Sequence, residues 1–360
     1  MKIAFTGGGT GGHIYPALAI ARMLKEKHNV DIFYIGADKG MDRSIVEGAS
    51  FRFYGISSGK LRRYFSLKNI SDIFKIIKGY FAAKKILKIE KPALLFSKGG
   101  FVSVPPVIAA SRLKIPVWTH ESDFSPGLAT KINACFAARI YTAYEKTALF
   151  FKEDLRARIL CSGNPVRSEF READGEKGRA FLGVKGNKKI LLVLGGSQGA
   201  KEINDLVALC LPELTSSFFV VHQTGNSAVS PASGHEQDYL PIPYIKNEMP
   251  DVLASASLVI GRSGAGTVWE SAAIGVPMIL VPLSGSGTRG DQVENARYFS
   301  GQGAAIMLIH PTPEVLLQEL HSLIHDEKRW TSMAALSKAA GEKNAAQTIS
   351  EDIVLFSRSL

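Results

Sequence analysis

The chain opens with KIAFT and then reads, at positions 7 to 16, GGGTGGHIYP. Five glycines in six residues, set between an apolar strand and the helical run IYPALAIARMLKEKH, restrict this start to strand, tight turn and helix. That is how a doubly wound α/β unit begins. Gly7, Gly9 and Gly12 satisfy G-x-G-x-x-G, where helix-initiating N–H groups and the positive end of the helix dipole suit phosphate. A dinucleotide site also wants an acidic residue ending the second strand, yet Asp31 starts VDIFYIG and Asp38 lies past its end. There is no G-x-x-x-x-G-K-[ST] for a triphosphate.

The same grammar recurs. ALLFSKG, VWTHES and RIYTAY are further strands of the first half, and KILLVLG restarts the pattern, followed by the helical QGAKEINDLVALCLPEL and the strand FFVVHQTG. With 360 residues and 46% hydrophobic content, two cores are expected. The boundary falls near ILCSGNPVR, giving domains 1–163 and 164–340, with a terminal amphipathic helix, 342–358, available to pack back on the first. Glycine turns also precede helices at 97–110, with Gly99 and Gly100, at 195–200, with Ser197 and Gln198, and at 261–275, where Glu270 sits about one turn inside its helix.

The net charge of +10 is unevenly spread, since residues 1–163 carry 26 Lys/Arg against 12 Asp/Glu. Residues 60–91 hold ten of those basic side chains, interleaved with apolar ones. This suits an anionic membrane surface, or else an ordinary helix with its apolar stripe in the core. No nucleic-acid motif accompanies the charge. Cys135, Cys161 and Cys210 lack metal or disulfide spacing and read as buried reduced thiols. Neither a signal peptide nor a membrane-spanning run is evident, which points to the cytosol.

GGGTGGHIYPALAIA, SKGGFVSVPPVIAA, HESDFSPGLATK, SGNPVRSEF, GGSQGA, RSGAGTVWESAAIGVPMILVP and DQVENA follow one another as they do in the MurG family of glycosyltransferases. The chain resembles that family over nearly its full length. The resemblance implies a GT-B fold, two Rossmann-like doubly wound parallel-sheet domains facing a central cleft. It implies transfer of N-acetylglucosamine from UDP-N-acetylglucosamine to lipid I, without a cofactor, at the cytoplasmic face of the cell membrane, with a cell-wall synthesis complex as a candidate partner. The family's donor contacts fall on Thr10, Gly11, Gly12, Arg167, Ser197, Ile245, Ala265, Gly266, Thr267, Val268, Trp269, Glu270 and Gln292, and Asp291 beside Gln292 is a further candidate to read sugar hydroxyls. Gly9, Gly99 and Gly100 are the candidates for the acceptor diphosphate, and Lys60, Arg62, Arg63, Phe74, Ile77 and Phe81 for the membrane.

One departure stands out: many members read H-E-Q-N where this chain has His120, Glu121, Ser122 and Asp123. A carboxylate at Asp123 accepts from a sugar hydroxyl but cannot donate, and it repels a diphosphate. The implied reaction inverts the anomeric centre, with UDP leaving. No D-x-D metal motif occurs, so glycine-loop amides and Arg167 are the candidates to neutralise the leaving diphosphate without a metal. His13 is the first candidate base, ahead of Glu121 and His120; the alternative is that His13 only binds backbone or pyrophosphate. Competing readings are a diacylglycerol glycosyltransferase, a nicotinamide-dependent oxidoreductase and a non-catalytic basic binder.

Overall fold

A computed structural model describes residues 1–59, 68–196, 199–226, 237–285 and 288–358. Lys60, Arg62, Arg63 and Ser197 therefore lie outside the described residues. The chain divides into two compact units, Met1–Arg167 with Asn344–Leu360, and Ser168–Lys343.

The first unit contains β1 (Lys2–Thr6), β2 (Asp31–Ala37), β3 (Arg52–Ile56), β4 (Leu94–Ser97), β5 (Val117–Glu121), β6 (Arg139–Thr142) and β7 (Ile159–Cys161). They form one parallel sheet in the order β3-β2-β1-β4-β5-β6-β7. Strands covered on both faces need continuous apolar runs, and Ile3, Ala4 and Phe5 are all fully buried. The terminal helix Ala345–Arg358 belongs to this unit and packs on the helix Gly11–His28. Its Ile349 and Ile353 enter the same core as Ile14 and Leu18, each buried isoleucine contributing about 1.5–3 kcal/mol over an exposed one. Asp352 accepts from Tyr141 Oη at 2.7 Å and pairs with Arg139 at 3.3 Å, which fixes the helix in register.

The second unit contains β8 (Lys189–Leu194), β9 (Phe218–Gln223), β10 (Tyr239–Ile242), β11 (Leu258–Gly261), β12 (Met278–Leu280) and β13 (Ala305–Met307). These are also all parallel, in the order β10-β9-β8-β11-β12-β13. In both sheets the strand order reverses beside the first strand, between β1 and β4 and between β8 and β11. Loops leaving adjacent strands diverge there and open a crevice at the carboxyl edge, where doubly wound sheets bind ligands.

Of the three thiols Cys210 is buried as expected, whereas Cys161 is half-buried and Cys135 exposed. An apolar local sequence does not reveal which helix face meets solvent.

Candidate functional site

At the first switch point, the loop after β1 meets the loop after β4, and glycines make their contact possible. A Cβ on Gly100 would lie 2.4 Å from the Gly8 carbonyl oxygen, one on Gly9 2.5 Å from the Phe101 ring, and one on Gly8 1.9 Å from Asp42 Oδ2. What comes so close to this backbone is largely the protein itself. The Gly9 N–H donates to Asp42 Oδ1 at 3.0 Å, and the Gly99 N–H donates to Ser97 Oγ at 3.2 Å. Those two amides, expected for the acceptor diphosphate, are therefore committed inside the unit. Gly11 and Gly12 begin the helix Gly11–His28, so their N–H groups have no helical acceptor and remain suited to an anion.

Asp42 was not apparent from the sequence. Its carboxylate is buried and also accepts from the Ala37 N–H at 2.9 Å. Burial pushes its pKa up from the ordinary carboxylate value, while the Ala37 and Gly9 amides oppose that shift. A second buried polar group, Asn133, pins the β4 loop by donating to Ser97 Oγ at 3.0 Å and Ser103 Oγ at 2.7 Å.

His13 projects from the first turn of its helix, half-buried, with Nδ1 3.1 Å from the Lys98 carbonyl oxygen. A carbonyl only accepts, so Nδ1 carries the proton and Nε2 the lone pair in the neutral ring. The other two candidate bases are placed differently. His120 is fully buried, donates from Nε2 to the Gly163 carbonyl at 3.0 Å, and is held well below its usual range, first by desolvation and then by Lys98. Glu121 is buried as well. Its Oε1 accepts from the amides of Ser122 at 2.9 Å and Asp123 at 3.1 Å, and its Oε2 from the Gly127 amide at 3.1 Å. Glu121 thus clasps the loop after β5 through three backbone donors.

Arg167 lies half-buried, with its guanidinium carbon 4.8 Å from the centre of the Tyr15 ring. A planar fork stacked on an aromatic face is preorganised for a diphosphate.

At the second switch point, Gly195 and Gly199 allow the loop after β8 to close, since a Cβ on either would lie 2.6 Å or less from backbone atoms of Ala200 or Thr224. The loop after β11 leads into the helix Ala265–Ile274. Ala265, Gly266 and Thr267 form its half-buried start, and a Cβ on Gly266 would meet no described atom within 4 Å. Val268 and Trp269 follow in the same helix. Both side chains are buried, Trp269 edge-on to Phe299 with centroids 5.4 Å apart, so they support the helix from behind and leave only backbone to a ligand. Glu270 is half-buried one residue further on.

Ile245 is buried too, and its amide donates to Gln223 Oε1 at 3.0 Å, which removes that amide as a base contact. Gln292 Oε1 accepts from the Leu283 amide at 2.9 Å, and Asp291 pairs with Arg289 at 2.8 Å. Arg262, not singled out by the sequence, ties the β11 loop to its neighbours by donating to Val281 O at 3.0 Å and to Glu202 at 2.8 Å.

Residues 3–142 match the glycosyltransferase family 28 N-terminal domain, and residues 190–349 match the glycosyltransferase family 28 C-terminal domain. The chain belongs to glycosyltransferase family 28. A Treponema denticola relative named "UDP-N-acetylglucosamine--N-acetylmuramyl-(pentapeptide) pyrophosphoryl-undecaprenol N-acetylglucosamine transferase" is 47% identical, over 95% of each chain. A Bacillus anthracis relative with the same name, numbered 2, is 42% identical over 97% of each. Among solved structures, MurG from Acinetobacter baumannii superposes with a TM-score of 0.75 at 26% identity, covering 97% of this chain and 98% of that one. The two doubly wound sheets of this family 28 chain are thus of the GT-B kind.

Proposed function

We propose that this protein transfers N-acetylglucosamine from UDP-N-acetylglucosamine to N-acetylmuramyl-(pentapeptide) pyrophosphoryl-undecaprenol. The observation that carries this is the full-length relationship to transferases so named, at up to 47% identity. Glycine loops at both sheet switch points supply a physical basis for two diphosphate-bearing substrates. Incubation with labelled UDP-N-acetylglucosamine and the lipid-linked acceptor, beside a diacylglycerol acceptor, tests it. Transfer to the diacylglycerol alone would overturn the reading.

In this reading the acceptor hydroxyl oxygen bonds to the anomeric carbon as the bond to UDP breaks. The electron pair leaves with UDP, and the hydroxyl proton passes to His13 Nε2. Arg167 supplies fixed charge for a diphosphate, and Glu270 accepts from ribose hydroxyls. Thr10, Gly11 and Gly12 contribute the first helix start, and Ala265, Gly266 and Thr267 the second. Asp291 and Gln292 remain candidates for sugar hydroxyls.

Two variants separate nucleotide binding from stability. Glu270→Ala is expected to weaken UDP binding by about 1–3 kcal/mol through lost charge-assisted hydrogen bonds. Gly266→Ala is expected to keep the unfolding midpoint, since the new methyl meets no described atom within 4 Å, yet to lose UDP affinity by crowding the helix start. Calorimetric titration with UDP checks both, and unchanged affinity in both sinks this donor site.

We further place the protein at a membrane surface on its cytoplasmic face, as a peripheral protein. Among the described residues no helix is long and apolar enough to cross a membrane. The helix Lys68–Glu90 instead exposes Ile73, Phe74, Ile77 and Phe81, with Phe74 68% and Phe81 62% accessible. Its buried positions are Asp72, Gly79, Ala83 and Leu87, while Ile76, Tyr80 and Ile86 are half-buried. Leu87, Tyr80 and Ile86 serve the core, whereas Ile73, Phe74, Ile77 and Phe81 form a second apolar face that points outward beside the exposed Lys75, Lys78, Lys85 and Lys88. Phe74→Ser with Phe81→Ser is expected to reduce binding to anionic vesicles by at least about tenfold and to spare transfer to a short soluble acceptor. Unaltered vesicle binding would rule this helix out as the membrane contact.

A further inference from the structure

His222 is fully buried on β9, the strand between β8 and β10, two residues before Thr224 begins the loop that follows. Each ring nitrogen meets one polar side chain. Nδ1 lies 3.0 Å from Tyr239 Oη at the start of β10, and Nε2 lies 3.0 Å from Asn204 Oδ1 in the first turn of the helix Lys201–Ser217. Asn204 Nδ2 donates in turn to the Thr224 carbonyl oxygen at 3.0 Å. Tyr239, Asn204 and Thr224 are buried as well, so the whole chain of hydrogen bonds runs through the interior.

The proton order along this chain has one solution. The Thr224 carbonyl only accepts, so the Asn204 amide turns its nitrogen there and its oxygen to His222. That oxygen also only accepts, so Nε2 carries the ring proton. Nδ1 is then the lone pair of a neutral ring and accepts from the Tyr239 phenol. Burial agrees with both ends: it holds the imidazole down to about 4 and pushes the phenol up to about 12.

The chain ends beneath the loop after β8. A Cβ on Gly199 would lie 2.5 Å from that same Thr224 oxygen and 3.2 Å from Gly225 Cα, so the loop rests directly on the carbonyl that Asn204 holds. Gly199 has φ 77°, and its N–H donates to the Gly196 carbonyl at 3.1 Å. A shift of Thr224 is therefore passed to the glycine turn that starts the helix Lys201–Ser217.

We infer that His222 is a positioning residue, which orients Asn204 so that the Thr224 carbonyl holds the β8 glycine loop in the shape that receives the donor's diphosphate. This rests on the transferase reading above. Both ring nitrogens are spent in buried hydrogen bonds, so His222 acts through its neighbours and has no nitrogen left for substrate.

The test uses two amides that each copy one end of the ring. His222→Gln reaches the Nε2 position and keeps a donor for Asn204, whereas His222→Asn reaches only the Nδ1 position and keeps a partner for Tyr239 alone. His222→Gln is expected to bind UDP within about threefold of wild type, and His222→Asn about tenfold more weakly. The KM of His222→Asn for UDP-N-acetylglucosamine is expected to rise in step, with a smaller change in kcat. Adding Asn204→Leu is expected to weaken UDP binding no further than Asn204→Leu does alone, since both changes break one chain. Equal UDP affinities in the two His222 variants, or additive losses, would overturn the inference, because a purely structural role lowers Tm without separating them. If His222→Asn does not fold, Asn204→Leu cuts the same chain one link on: a loss of UDP affinity of that size supports the inference and wild-type affinity refutes it. Calorimetric titration with UDP needs no turnover, so wild-type protein that binds UDP but transfers no sugar would refute the transferase reading instead.

Discussion

His13→Ala is expected to lower kcat by about two to three orders of magnitude while leaving the affinity for UDP-N-acetylglucosamine nearly intact, the range typical of a lost general base. The physical ground is the 3.1 Å contact between Nδ1 and the Lys98 carbonyl, which fixes the tautomer and leaves Nε2 as the basic nitrogen. The deficit is expected to narrow as pH rises, because a more ionised acceptor hydroxyl needs less help. Steady-state kinetics beside calorimetric donor titration decides the matter. Turnover and donor affinity falling in proportion would make His13 a phosphate ligand.

Gly100→Ala should cost about 3 kcal/mol or more of stability and abolish most activity, the sum of a positive-φ penalty and a backbone clash. Gly100 has φ 77°, and the added methyl would sit 2.4 Å from the Gly8 carbonyl oxygen, forcing the β1 and β4 loops apart. Gly40→Ala is the control. Its φ of 104° carries the conformational penalty, but no described atom lies within 4 Å of the new methyl, so about 1 kcal/mol is expected. Urea unfolding of the two variants measures the difference. Equal losses would mean that the loop contact relaxes freely and does not constrain the site.

The architecture was legible because it is written locally. KIAFT and KILLVLG are continuous apolar runs ended by glycine, and only a strand buried on both faces and turning sharply into a helix uses that pattern. Two such openings in one chain require two sheets, and the helix starts at Gly11 and Ala265 follow from the glycines before them. The family resemblance rested on the same short motifs, each contiguous in sequence.

What the sequence could not specify is which atoms meet across long separations. The glycines were read as space for a ligand, yet much of that space is filled by Asp42, Phe101 and the Gly8 backbone, partners that only the sheet order brings together. Glu121 reads as a base from its type, and only the folded loop brings three amides of the following residues onto it. Trp269 and Val268 lie in a ligand-associated motif but turn inward, since consecutive helical positions point some 100° apart and only packing against Phe299 selects the face. Lys98 gave no local signal at all. A lysine before two glycines looks solvated, and its burial against Ser122 and Asn164 depends on β4 lying beside β5 and on the β7 exit loop reaching back. Sequence determined the elements and the turns between them, because those are set by neighbours within a few residues. Tertiary structure decided which polar groups face one another in a low-dielectric interior, where charge, tautomer and accessibility are set by residues tens of positions away.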